Sequence, residues 1–339
     1  MGTMPSVAVI GGGSWGTALA KVLAAKGAPT TLWARESDVV AAIESDRINQ
    51  VFLPAIELPA ALRPTTDLEE AVHGADVVVS AVPTQHIRTV FADLGPRLGD
   101  VDVVVSVSKG IETTTLRTPT QILSEFLPDP LADRMVVLSG PSFAREVAVD
   151  HPAAVVAAGP TLAVARDVRD LFTTAAFRVY SSDDAQSAEI GGALKNVIAI
   201  GAGMSAGLGF ADNALAALIT RGLAEISRLG VAVGGDAHTF AGLSGMGDLV
   251  LTCHGSLSRN RTVGVEIGLG RTLDEVVDQM EMVAEGVKTT VAVHRLANEL
   301  GVSMPITDAV HATLYEDLAP TDAVALLMGR APRDERDSA

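Results

Sequence analysis

The stretch "SVAVIGGGSWGTALAKVLAAKGAPTTLWARE", Ser6 to Glu36, decides how the amino-terminal half of the chain folds. Val7 to Ile10 is a short apolar run suited to a strand buried on both faces, and Thr17 to Lys26 carries apolar residues at helical spacing. Gly27 and Pro29 stop that helix before a second β-like run, "TTLWA". The unit reads strand, glycine turn, helix, strand. Further β-like runs follow at "ADVVVSAV" (Ala75 to Val82), "VDVVVSVS" (Val101 to Ser108), "RMVVLSG" and "PAAVVAAG", separated by helix-like stretches such as Asp67 to Val72 and Thr118 to Phe126. This alternation predicts an α/β fold with a doubly wound, mostly parallel sheet and right-handed crossovers. After "FRVYSSDD" the β-like runs stop, and from about Ala185 to near Gly329 the pattern is helical or punctuated by glycine.

Gly11-Gly12-Gly13-Ser14-Trp15-Gly16 satisfies G-x-G-x-x-G directly after a strand and at the opening of a helix. Gly11 permits the tight turn, Gly13 lets backbone amides approach a pyrophosphate, and Gly16 lets the helix pack on the strand. Residues 1–184 are therefore expected to form a Rossmann-type dinucleotide-binding domain. Residues 185–330 form an all-helical domain for substrate and catalysis, and residues 331–339 a polar, frayed tail. Trp15 suits either packing at the helix start or a cover over the cofactor. At the end of the second strand Arg35 suits the 2′-phosphate of NADPH or stacking on adenine, while Glu36 suits the 2′-hydroxyl of NADH; a solvated surface pair is the competing role. The cofactor is NAD or NADP, with Arg35 favouring NADPH.

With 339 residues, 48% of them hydrophobic and 19% charged, the chain has the composition of two well-buried domains. No apolar run reaches membrane-spanning length without glycine or charge, no secretory signal is legible, and Cys253 is the single cysteine. A soluble, cytoplasmic protein is expected, with no membrane insertion. A formal net charge of −16 argues against nucleic acid and requires a local basic pocket for any small anion. The seven histidines show no metal-ligand spacing with each other or with Cys253, so no metal is expected.

Only five of the 25 Lys plus Arg residues are lysines, and two of them, Lys109 and Lys195, stand in apolar segments. Lys109 ends the strand of "VVVSVSKGIE", the edge of an open α/β sheet where ligands sit. Lys195 lies in "EIGGALKNVIAIGAG", apolar or small around the whole helical wheel, where burial lowers a lysine pKa and suits it to acid–base work near neutral pH. A structural salt bridge is the competing role. Asn196 adds an amide for a substrate oxygen or a backbone group. Asp248, in "LSGMGDLVLTC", can orient Lys195, bind a substrate hydroxyl or cap a helix. "LSGPSFAREV" offers turn amides and a hydroxyl, and "GSLSRNRTVG" brings Ser258, Arg259 and Asn260 to a helix start suited to phosphate.

In order along Val7 to Asp317, "GGGSWGTALA", "LWARE", "N..FLP", "SVSKGIE", "SGPSFAREV", "GGALKNVIAIGAGM", "GLSGMGDLVLTC", "SRNRTVG" and "VAEGVKT" resemble the bacterial-type NAD(P)-dependent sn-glycerol-3-phosphate dehydrogenases. The resemblance implies reversible reduction of dihydroxyacetone phosphate to sn-glycerol 3-phosphate for glycerophospholipid synthesis, with Lys195 as proton donor and acceptor. It implies substrate contacts from Lys109, Gly140, Ser142, Asp248, Ser258, Arg259 and Asn260. Cofactor contacts would come from Ser14, Trp15, Arg35, Lys109, Ala144, Arg259, Val283 and Glu285, and the enzyme would be a homodimer. One position departs from the family pattern: Phe52 precedes Leu53-Pro54 where tyrosine is usual. A β-hydroxyacid or ketopantoate-type reductase, or a non-catalytic NAD(P) sensor, shares parts of the pattern.

Overall fold

The computed structural model describes residues 4–280, 282–332 and 334–335; Arg333 and residues 336–339 of the expected tail lie outside the described residues. The strands are β1 (Val7–Ile10), β2 (Thr30–Trp33), β3 (Ile48–Asn49), β4 (Leu53–Glu57), β5 (Leu62–Thr65), β6 (Val77–Ser80), β7 (Val103–Ser106), β8 (Met135–Ser139), β9 (Ala153–Ala158) and β10 (Phe177–Ser182). Eight of them form one sheet in the order β10-β9-β8-β7-β6-β1-β2-β5. Every pairing is parallel except β8 with β9, so β9 and β10 run against the other six.

The sheet is buried because its strands offer branched side chains alternately to two helical layers. Val77, Val79, Val103 and Val105 pack with Leu19, Leu23, Val168 and Phe172 on one face. Ala8, Ile10, Val78 and Val104 pack with Ile87, Phe91, Leu94 and Ile122 on the other. Chain order reverses between β1 and β6, which places a crevice at their carboxyl ends. Two features differ from the sequence expectation. The edge strand β5 and the hairpin β3–β4 are additional; β5 contains Pro64, which an edge strand tolerates.

The chain divides into two compact units: the chain up to Ser108 with Pro119–Ala185, and Lys109–Thr118 with the chain from Gln186 on. Lys109–Thr118, read from the sequence as part of the first domain, thus belongs to the helical unit. Ile111 lies in that unit's core, and Arg295 Nη1 donates to the Thr113 carbonyl at 2.7 Å.

The second unit is built around the helix Ala185–Gly207, buried continuously from Ser187 to Ser205. Its glycines allow main chains to touch. A Cβ on Gly203 would lie 2.1 Å from the Arg261 carbonyl, and one on Gly207 2.4 Å from that of Val265. Reciprocally, Cβ atoms on Gly264 and Gly268 would meet the carbonyls of Ile200 and Met204 at 2.0 and 2.5 Å. Two glycine pairs spaced by four residues therefore interlock this helix with the helix Arg259–Gly268. Among the described residues no helix is long and apolar enough to cross a membrane.

Candidate active site

In the first unit, the turn after β1 is shaped by contacts that exclude side chains. Gly11 has φ +124°, and a Cβ on it would stand 2.6 Å from the Ala81 carbonyl, just beyond β6. A Cβ on Gly16 would stand 1.9 Å from the Gly11 carbonyl. Gly13 is different: a Cβ there would have nothing within 4 Å. It caps the helix Ser14–Lys26 without a side chain, and helix geometry leaves the first-turn N–H groups without helical carbonyl partners. The turn therefore fits a dinucleotide pyrophosphate. Asn49 steadies it from β3, donating to the Gly12 carbonyl at 2.8 Å and to Thr17 Oγ1 at 2.9 Å.

Ser14 Oγ donates to the Phe52 carbonyl at 2.6 Å, so position 52 contributes through its backbone whatever its ring carries. Trp15 packs edge-on to Phe177, with ring centroids 6.3 Å apart, and lies against Ala18, Leu53, Ile56 and Ala148. Its indole Nε1 is buried without a hydrogen-bond partner. Arg35 Nε and Nη2 both bond Glu36 Oε1, at 3.1 and 2.8 Å. Beyond β8, Gly140 has φ +141° and Ser142 Oγ donates to its carbonyl at 3.0 Å, while Ala144 opens the helix Ala144–Ala148.

In the second unit, one carboxylate organises two lysines. Asp248 Oδ1 lies 2.7 Å from Lys195 Nζ and Asp248 Oδ2 lies 2.6 Å from Lys109 Nζ. A π-helical turn, Leu243–Gly247, delivers Asp248 to the start of the helix Asp248–His254, a local geometry frequent at functional sites. One turn later Thr252 Oγ1 accepts from Lys195 Nζ at 2.7 Å while donating to the Asp248 carbonyl at 2.6 Å. Sequence reasoning missed Thr252, although its i, i+4 spacing from Asp248 puts both on one helix face. Burial drives the Lys195 pKa down to about 8; Asp248 opposes the change and the Lys109 charge adds to it.

Asn196 and Asn260 form a relay of amides. Asn196 Nδ2 donates to the Lys109 carbonyl at 3.1 Å, Asn260 Nδ2 donates to Asn196 Oδ1 at 2.8 Å, and the Gly286 N–H donates to Asn260 Oδ1 at 2.9 Å. Asn260, read from the sequence as a substrate contact, has protein partners here, and Asn196, read as serving either a substrate oxygen or a backbone group, bonds the backbone of Lys109. A Cβ on Gly286 would meet Asn260 Oδ1 at 2.7 Å, so glycine is what lets this helix start approach.

The relay ends at the anion-suited helix start. Buried Ser258 caps the helix Arg259–Gly268, accepting from the Arg261 N–H at 3.2 Å. Helix geometry leaves the N–H groups of Arg259 and Asn260 for a ligand. The Arg259 side chain is exposed, and surrounding protein lowers its pKa by desolvation, with Glu285 opposing. Val283 is exposed and Glu285 half-buried at the start of the helix Glu285–Leu300.

Models of the amino- and carboxy-terminal parts of NAD-dependent glycerol-3-phosphate dehydrogenase match residues 6–165 and 184–325. A glycerol-3-phosphate dehydrogenase (NAD(P)+) from Geobacter metallireducens is 55% identical over 330 residues, covering 97% of this chain and 98% of that protein. The crystal structure of glycerol-3-phosphate dehydrogenase from Coxiella burnetii superposes with a TM-score of 0.91 at 37% identity, over 96% and 99% of the two chains. A ketopantoate reductase from Ralstonia eutropha shares only the fold, with a TM-score of 0.59 at 17% identity over 94% and 99% of the chains. With both halves matched and the glycine turn and lysine centre in place, the chain belongs to the NAD-dependent glycerol-3-phosphate dehydrogenase family.

Proposed function

We propose that this protein reversibly reduces dihydroxyacetone phosphate to sn-glycerol 3-phosphate with NADH or NADPH, supplying the backbone of glycerophospholipids. The observation that carries this reading is buried Lys195, paired to Asp248 and Thr252, with a pKa of about 8. A group of that pKa gives and takes a proton near neutral pH. When bound, the reduced nicotinamide supplies the hydride that the ketone carbon accepts. Lys195 Nζ donates its proton to the carbonyl oxygen as negative charge grows there, and recovers it in the reverse direction. Asp248 and Thr252 hold the Nζ in place, and Lys109 adds positive charge beside the same oxygen.

Arg259 and the N–H groups of Arg259 and Asn260 bind the phosphate, with Ser258 fixing that turn; Gly140 and Ser142 bind other substrate oxygens. The remote phosphate orients the ketone. Gly11, Gly13, Ser14, Trp15, Gly16, Arg35, Ala144, Val283 and Glu285 hold the dinucleotide. In this reading residues 1–184 carry most of the cofactor contacts, and residues 185–330 with Lys109 carry the acid–base chemistry and the phosphate.

The test is absorbance of the reduced nicotinamide with dihydroxyacetone phosphate, with unphosphorylated dihydroxyacetone as control. Oxidation that requires the phosphate supports the reading; cofactor binding without oxidation sinks it. We also infer a cytoplasmic homodimer. A single buried cysteine suits a reducing compartment, and Leu326 and Met328, 62% and 81% exposed on the helix Pro320–Met328, offer apolar surface for a second copy. A monomeric mass by light scattering would remove the dimer.

A further inference from the structure

Resting on that reading, we propose that Asn49, which opens the "N..FLP" stretch, is a positioning residue for the cofactor pyrophosphate: from the hairpin β3–β4 it aims the Gly12–Gly13 peptide. The hairpin is a separate two-stranded sheet outside the strand, glycine turn, helix, strand unit, with Asn49 opposite Leu53. Leu53 and Ile56 pack with Ala18 and Trp15, which seats the hairpin on the helix Ser14–Lys26.

A peptide between two glycines rotates easily, because neither neighbour carries a Cβ. Here the restraint comes from outside the turn. Asn49 is fully buried, and its Nδ2 donates to the Gly12 carbonyl at 2.8 Å and to Thr17 Oγ1 at 2.9 Å. Thr17 Oγ1 in turn donates to the same Gly12 carbonyl at 3.1 Å. Both lone pairs of that oxygen are thus used, and flipping the peptide would break two buried hydrogen bonds. In a trans peptide the carbonyl and the following N–H point opposite ways, so the Gly13 N–H is turned away from Asn49. That N–H is one of the turn amides that receive a pyrophosphate. Phe52 ties down the far end of the hairpin through its backbone alone: its N–H donates to Asn49 Oδ1 at 3.0 Å, and its carbonyl accepts from Ser14 Oγ at 2.6 Å. Hairpin and glycine turn therefore hold one another, and Asn49 is the side chain that joins them.

The test measures binding as well as turnover. Ligand-observed NMR titration of the full chain would compare ADP-ribose, which carries the pyrophosphate, with adenosine, which does not. Asn49→Ala should weaken ADP-ribose by about three- to tenfold and leave adenosine within about twofold. KM for NADH and NADPH should rise by a similar factor, while kcat at saturating cofactor stays within about twofold. Thr17→Val, which removes the hydroxyl and keeps the shape, should act in the same direction, and Thr17→Ser should restore the wild-type values. Should Asn49→Ala not fold, Thr17→Val and Thr17→Ser carry the comparison. A melting temperature that falls while ADP-ribose binds as in the wild type would reduce Asn49 to a structural role and overturn the proposal. Equal weakening of ADP-ribose and adenosine would overturn it too. If ADP-ribose alone weakens while neither the wild type nor any variant oxidises NADH or NADPH with dihydroxyacetone phosphate, the proposed reaction falls and the role of Asn49 stands.

Discussion

Lys195 Nζ stands 2.7 Å from Asp248 Oδ1 in a helix with no exposed residue between Ser187 and Ser205. The ammonium is held in place by one carboxylate that also serves Lys109. In the proposed reaction, reduction needs Lys195 protonated and oxidation needs it neutral. The rate of reduction should therefore fall as pH rises through about 8, and oxidation should rise over the same interval. Removing the Asp248 charge takes away the main influence that keeps the pKa up, so Asp248→Asn should move both limbs to lower pH. Lys195→Ala should lose about 10²- to 10⁴-fold in kcat without unfolding. Rate–pH profiles of the three proteins check this, and coincident profiles for wild type and Asp248→Asn would contradict it.

The amide relay makes a separate prediction. Asn260→Ala leaves Asn196 Oδ1 and the Gly286 N–H buried without partners, which costs about 1–3 kcal/mol for each orphaned group. Urea denaturation should show a loss of about 2–6 kcal/mol for the two groups together. Asn260→Asp should not rescue it, because a carboxylate cannot donate to Asn196.

Gly13 and Gly16 separate binding from folding. Gly13→Ala adds a methyl into open space at φ −67°, so the melting temperature should hold while the Kd for NAD(P)H rises by about tenfold or more. Gly16→Ala drives a methyl into the Gly11 carbonyl and should lower stability as well. Fluorescence titration and calorimetric melting read the two effects separately.

Glu225 gives a pH-dependent stability unrelated to the reaction. Its buried carboxylate accepts from the Ile306 N–H at 2.6 Å and the Thr307 N–H at 3.2 Å, capping the helix Pro305–Tyr315. Burial pushes its pKa from 4.5 up to about 7. Between those values the folded protein keeps a proton that the unfolded chain releases. Stability from this group is therefore greatest below 4.5 and falls as pH rises to about 7, by about 3 kcal/mol in all. Glu225→Gln should flatten the unfolding free energy over that interval, and an unchanged slope would refute the assignment.

The alternation of Val7–Ile10, Thr17–Lys26 and "TTLWA" was legible because strands buried on both faces and an apolar helix leave unmixed periods in the sequence. β5 was not, since Pro64 and Arg63 belong to an edge exposed to solvent, where the apolar signal thins. Lys109 and Asp248 were each readable as polar residues beside apolar runs. Their shared carboxylate was not, because it joins positions 139 residues apart. Thr252 was hidden because threonine in a helix usually satisfies itself on the preceding turn, and here the same hydroxyl also accepts from Lys195. The Asn196–Asn260 relay was invisible for a related reason: sequence displays amides as available groups, and only packing reveals which are already occupied.

Gly203 and Gly207 meeting Gly264 and Gly268 bring the helix that bears Lys195 into main-chain contact with the helix that begins at Arg259. No side chain intervenes to stretch or yield. In the proposed reaction the span from the lysine to that helix start is thus a caliper with fixed jaws, which holds the proton donor and the phosphate site at one separation.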